Sequence, residues 1–482
     1  MSSNNAGEGS EHASGPGLSH SSPDSGLRRG AVGLWHALFQ AQSHVAPAAD
    51  TALLLTGSAA IALGSLPLVI VLAWIGYFLM LNTNYQFSKY LSSAAGYYGF
   101  AANGLGKKWG ILTGWLFIGN EALAFGAFGY LGAASLIYLL SPSLSGIPYL
   151  WIALIAPYAL FIFLIEYLGI RPSLNYALIT GVIEVAFLAI TGAAIVFLAG
   201  KNNTLEVFTF KPVGGHFGPV FLAFIIGITT LAGSGSAVAI AEETKQPKRN
   251  IPKSLLYVML INLVVILSAY ALTVGWGVNN MSTFASSPDP GIIVYRNYLG
   301  PIVALLFAAL IYNSYFAFGL AINNSLSRTM YAMARDGIIL PRSLAATHPK
   351  YKSPHKIIAL ITGWSLAFAL ANGLIFGPFN GGVYPFVMIG LMLILTHAIN
   401  NISLIAYVKR NRLKFSYLLH GLIPLVATVF LALAIYYSFV PFPSAVPDIV
   451  YAYLAFAWIV AGIAYSLFMS RKVEKIAAVN VD

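Results

Sequence analysis

Twelve apolar stretches follow one another along the chain, at about 31–63, 66–91, 107–140, 148–168, 172–199, 217–242, 253–276, 301–327, 356–375, 383–408, 416–440 and 447–470. Each is close to the ~20 residues an α-helix needs to cross a bilayer. In lipid the backbone must satisfy its own polar groups, which a helix does within one segment. The expected class is therefore an all-α membrane protein with twelve transmembrane helices. Only 9% of the residues are charged, against about 25% in a soluble chain. With 0 Cys there is neither a disulfide nor a thiolate metal site.

The charges predict the orientation. With the N-terminus inside and the spans alternating, only Lys201, Lys211 and Arg296 of the 26 Lys and Arg fall outside. That asymmetry follows the positive-inside rule and predicts both termini in the cytoplasm of a multi-pass cell-membrane protein. An odd number of spans would scramble it. The net charge of +11 thus reads as topology and contact with anionic lipid, not as nucleic-acid binding. Residues 1–27 are mostly Ser, Gly, His, Asn and acidic residues, and read as a disordered cytoplasmic tail rather than a signal peptide. Residues 471–482 read as a second tail.

Two spans carry interruptions. In the sixth, side chains nearly vanish at Ala232–Ser236 (AGSGS), and each mid-helix glycine costs about 1 kcal/mol against alanine. Two readings stand: a discontinuous helix at a binding site, or close packing of small residues. In the first, Pro47 lies within QSHVAPAAD and removes an N–H; the readings are a break or a simple kink. Five spans separate the two. An odd offset inverts the second unit, which predicts an inverted repeat: 28–200 for helices 1–5, 201–415 for helices 6–10, and 416–470 for two accessory helices. The first and third stretches exceed a simple span, so one is read as broken and the other as steeply tilted.

Acids inside a membrane are expensive and mark function by default. Glu184, in the middle of span 5, and Glu121, beside Asn120 in span 3, are the proton-coupling candidates. Glu184 either takes up and releases a proton or stays protonated on a neighbour. Glu121 either pairs with a substrate amine or relays a proton. Asp50 is expected to cap the second half-helix of span 1. His36 and His397 read as satisfied core histidines. Asn313, Ser314 and Tyr315 on span 8 fit either sodium coordination or interhelical hydrogen bonds. No nucleophile–base pair or metal-ligand spacing is present, so no enzyme and no cofactor is expected.

EETKQPKRNIPKSLL after span 6 and SLSRTMYAMARDGIILP (Ser325–Pro341) after span 8 resemble two motifs of the amino acid–polyamine–organocation permeases. GLWHALFQ at 33–40 is similar to that family's start of span 1. The resemblance implies a LeuT-type core of five plus five inverted helices, with broken helices 1 and 6 and two extra helices. It implies secondary active transport of amino acids or related amines by alternating access. Proton symport is the reading taken; exchange and sodium coupling stay open, and an ion channel is the alternative from another class. It also implies a substrate-carboxylate cradle at Ser43, His44, Val45, Ala46, Ala48 and Ala49. The substrate ammonium would meet carbonyls of Thr229, Leu231 and Ala232, beside Gly233, Ser234 and Gly235. The sequence departs from the family here. Pro47 donates nothing, leaving His44 as a replacement donor. Leu231 replaces an aromatic and Gly235 an acid, which implies a roomier pocket and weakens a polyamine reading. Glu184 stands where many relatives carry Lys. Pro247, Pro252 and Gly337 read as parts of rigid cytoplasmic connectors, with Pro252 in the first turn of a helix.

Overall fold

The computed structural model describes residues 26–140, 144, 147, 149–287, 289–440 and 446–472. Most of the expected N-terminal tail, and the C-terminal tail beyond 472, lie outside them. The helices in chain order are α1 (Leu34–Val45), α2 (Pro47–Ala52), α3 (Leu54–Ala62), α4 (Leu66–Ser88), α5 (Gly96–Leu105), α6 (Lys107–Ala124) and α7 (Ala133–Leu140). Then come α8 (Leu150–Tyr167), α9 (Ile170–Ala199), α10 (Phe217–Thr229), α11 (Pro247–Ile261), α12 (Leu263–Trp276), α13 (Met281–Phe284) and α14 (Pro290–Leu299). The last are α15 (Pro301–Asp336), α16 (His355–Phe376), α17 (Pro378–Val383), α18 (Phe386–Arg410), α19 (Ile423–Phe439) and α20 (Asp448–Lys472). No strand occurs among the described residues beyond an isolated parallel bridge between Val32 and Thr244.

Among the described residues, ten helical segments are long and apolar enough to cross a membrane. The expected stretches that do not appear as such, 31–63 and 217–242, are the ones interrupted in the middle. Their leading pieces, α1 and α10, have 12 and 13 residues, too short to span alone at 1.5 Å per residue. The tail of the first stretch instead runs through a tight turn into the next, giving one apolar segment, Leu54–Ser88. Part of the surplus length of the third stretch is held as wide π turns at Phe125–Gly132. A further difference concerns Pro252. The helix after the charged loop begins at Pro247, so Pro252 lies inside it.

Long α9 illustrates why these helices pack as they do. Leu174, Ala177, Gly181, Glu184, Leu188, Thr191 and Ile195 recur at helical spacing and are buried. The opposite face shows Ile179, Val182, Ile183, Ile190 and Phe197 to the exterior. An apolar outer stripe is what lipid requires and water penalises. In lipid, association relies on close packing of small residues. At Gly181 a Cβ would stand 2.5 Å from Phe39 Cδ1 of α1, so only glycine admits that ring. The centre of the bundle is formed by α1, the second half of α15, the π turns and the chain at 230–243, all mostly buried.

Candidate functional site

Both interruptions are open turns within the core. Helix α1 stops at Val45, and Ala46 takes a left-handed conformation (φ 55, ψ 60) because the following Pro47 starts a new helix. The N–H of Ala46 donates to the Gln42 carbonyl at 3.1 Å, and that of Asp50 to the Ala46 carbonyl at 2.9 Å. In the second interruption α10 ends at Thr229. Turns follow through Gly233, whose φ of 94 suits only glycine, and a 3₁₀ helix resumes at Ser236–Glu243. The two turns touch. A Cβ on Gly233 would lie 2.8 Å from the main-chain carbon of His44.

Around that contact is a small chamber of about 20 Å³, enough for one water-sized group. It is lined by His44, Gly233 and Ser236 of the turns, with Tyr77, Tyr97, Phe117, Glu121, Ser325, Thr396 and His397 among its other walls. Glu121 accepts from Ser325 Oγ at 3.0 Å and from Asn120 Nδ2 at 3.2 Å, and stands 3.5 Å from His44 Nε2. The Tyr97 hydroxyl accepts from Asn84 Nδ2 at 2.9 Å, and the Tyr77 hydroxyl points at the main chain of Gly233 and Gly235. His397 packs edge-on against both tyrosines. Its Nε2 and the hydroxyl of Thr396 are buried without a partner.

A second cavity of about 660 Å³ lies on the α2–α3 side of the interruptions, away from Arg28. Its walls are largely aliphatic, and Thr229, Tyr315 and Phe386 are among them. Leu393 lines both cavities. Asp289 is the one acidic residue among the described residues lining the larger one, and burial pushes its carboxyl up to about 6. On the side of Arg28 the bundle is instead held by buried charge. Arg328, fully buried, donates from Nε to Glu243 at 2.9 Å and from Nη1 to Glu166 at 3.4 Å. Arg335 meets both oxygens of Glu242, and Tyr98 donates to Asp336. The two family-like motifs thus bind each other, rather than serving only as connectors.

Glu184 sits at the first interruption. Its Oε1 accepts the Ala48 N–H and the Ser314 hydroxyl, each at 2.7 Å. This corrects the expectation for Asp50, which lies inside α2 and is not its N-cap. A carboxylate from α9 caps that half-helix instead. Of the expected binding residues, His44 and Gly233 face the small chamber and Thr229 the large cavity. Ser43, Val45, Ala46, Ala49, Leu231 and Ala232 are buried or half-buried around the turns. Ser234 is taken up internally, donating to the Leu231 carbonyl and accepting from Asn262. Gly235 backs onto Tyr97 and Asn84. His36 bonds to Asn175 at 2.9 Å, as a satisfied histidine should, but His397 does not. Asn313 accepts from Tyr176, Ser314 serves Glu184 and Tyr315 faces the large cavity, so the three do not converge. Among the described residues, no group of three or more His, Cys, Asp or Glu is placed to hold a metal.

Sequence comparison decides the family: the profile described as Amino acid permease matches residues 36–478. The chain belongs to the amino acid permease family. That places the permease in the superfamily its motifs resemble, a family of transporters and not of enzymes. It is 29% identical over 205 residues to a branched-chain amino acid permease of Bacillus subtilis, covering 39% of each chain. It is 27% identical over 266 residues to an uncharacterised transporter of Mycobacterium tuberculosis, covering 55% of the permease and 56% of the relative. A low-affinity putrescine importer of Escherichia coli is 23% identical over 193 residues, 39% of the permease and 42% of the importer. The matched regions thus span about two fifths to just over half of these relatives.

Tyr77, Tyr97, Phe117 and Thr396 carried no sequence signal for this site, and Ser325 was marked only as the start of the motif after span 8. One test of the chamber follows from Gly235, where an added Cβ would collide with the Tyr97 hydroxyl and reach Asn84 Nδ2. Gly235→Ala is expected to break the Asn84–Tyr97 bond and weaken substrate binding about tenfold, ~1.4 kcal/mol. Ligand titration of the purified variant checks this, and an unchanged affinity would place the substrate elsewhere.

Proposed function

We propose that the permease is a secondary active transporter that carries an amino acid or related amine across the cell membrane by alternating access. Twelve spans in a five-plus-five inverted arrangement, with both termini cytoplasmic, complete this reading. The observation that carries it is the meeting of two interrupted helices at a small chamber holding Glu121, with opposite surroundings on its two sides. A wide apolar cavity lies on one side and a buried ion-pair network on the other. A transporter needs its central site to open to one side at a time, and two packed arrangements of the same elements provide that. The cavity side would then be the open one and the ion pairs the shut one. Glu184 links α2, α9 and α15 through two hydrogen bonds. Protonation there would loosen the link, which makes it the coupling group of a proton symporter.

The test is counterflow in proteoliposomes. Vesicles preloaded with unlabelled substrate should take up labelled substrate transiently and saturably. A steady, non-saturating current without exchange would instead indicate a channel.

A further inference from the structure

We infer that the turn between α18 and α19 is a binding site for the phosphate headgroup of an anionic phospholipid. Binding of a lipid here is independent of the transport reading above.

The turn lies at the ion-pair end of the bundle. Tyr407, just before it, packs on Phe87 of α4, and the segment after α4 donates from the Ala94 N–H to Glu242. The first argument is uncompensated charge. Lys409, Arg410, Arg412 and Lys414 are all exposed. Other cations of this end have partners: Arg328 and Arg335 meet carboxylates, while Arg28 and Arg171 donate to main-chain carbonyls. The four at the turn have neither a carboxylate nor a carbonyl partner among the described residues. The sequence holds no Asp or Glu between Asp336 and Asp448, so this part of the chain brings no acid with them.

The second argument is backbone strain. Arg412 has a φ of 52, the left-handed conformation in which a helix commonly ends on glycine. Helix α15 does end so, on Gly337. The Arg412 N–H donates to the Lys409 carbonyl at 3.2 Å, and the Leu413 N–H to the Val408 carbonyl at 3.0 Å, which fixes the turn. A side chain is disfavoured at that φ, and strain of this kind collects where a side chain serves a ligand.

The third argument is what adjoins the charge. Tyr417 is 85% exposed, and Leu418, Leu422, Leu425 and Val429 continue an apolar outer face along α19. Tyrosine at the junction of charge and hydrocarbon suits the level of lipid headgroups. Asn82 Nδ2 of α4 donates to the Leu419 carbonyl at 2.7 Å, and Lys89 of α4, over the Tyr85 ring, adds another cation. Clustered cations beside an acyl-chain surface select a phospholipid over a free phosphate. A headgroup bound there would anchor the helix that carries Thr396 and His397 to the chamber.

Intact-mass spectrometry of the purified full chain tests this, after equilibration in detergent with equal amounts of phosphatidylglycerol and phosphatidylcholine of the same acyl chains. The parent is expected to retain the anionic lipid about tenfold over the neutral one. Arg412→Gly is the decisive variant. Glycine relaxes the left-handed turn, so the melting temperature should hold or rise, while the preference should fall about fivefold, the worth of one surface cation. Lys350→Gln with Lys352→Gln and Lys356→Gln removes cations from another connection and should leave the preference intact. Glycerol phosphate in excess should not displace the lipid. Equal retention of both lipids by the parent, an undiminished preference in Arg412→Gly, an equal loss in the triple variant, or displacement by glycerol phosphate would each overturn the inference.

Discussion

Arg328→Met is expected to destabilise the permease by about 3–5 kcal/mol, the usual consequence of removing one partner from a buried ion pair. The guanidinium is fully buried between Glu243 and Glu166. Glu166 is fixed in turn by the Ser173 hydroxyl at 2.7 Å, which accepts from Asn324 at 2.7 Å. Methionine fills much of the volume but leaves two carboxylates without their cation. The melting temperature in detergent should fall by on the order of 10 °C. Adding Glu243→Gln to the variant should restore part of the loss, because one uncompensated charge disappears. If single and double variants melt with the parent, the network does not hold the bundle.

Glu184→Gln should abolish accumulation driven by a pH gradient while counterflow persists. Glutamine keeps the one oxygen that accepts both the Ala48 N–H and the Ser314 hydroxyl, so the local fold should survive. What it lacks is a proton to exchange. Under an imposed gradient the variant should reach only the equilibrium level, whereas the parent concentrates substrate by about tenfold per 1.4 kcal/mol of coupling. Accumulation at the parent's level would remove Glu184 from coupling and move attention to Glu121.

Much of the bundle is written in the chain as length and punctuation. Apolar stretches of span size give the helices, Pro47 marks one interruption, and Ala232–Ser236 mark the other. These are local signals, set by a missing N–H or missing side chains. The chamber is not local. Glu184 meets Ala48 across 136 residues, and Glu121 meets Ser325 across 204. Tyr77, Tyr97 and His397 lie on helices with little amphipathic pattern, so the direction of each ring depends on packing alone. The π turns at Phe125–Gly132 were equally hidden, since their residues are ordinary helix and membrane residues. The carboxylate cap on α2 illustrates the limit. Local reasoning selects the nearby Asp50, while tertiary packing delivers a side chain from another helix.

The short bridge at Val32 has a mechanical consequence. Its N–H donates to the Glu243 carbonyl, and its carbonyl accepts from the Lys245 N–H. Those main-chain bonds join the segment leading into α1 to the segment leaving the 3₁₀ helix. The paired helices therefore share a yoke: a pull on one is felt by the other, so they should swing as linked levers. A partner gripping the chain just ahead of Val32 would hold a handle for both.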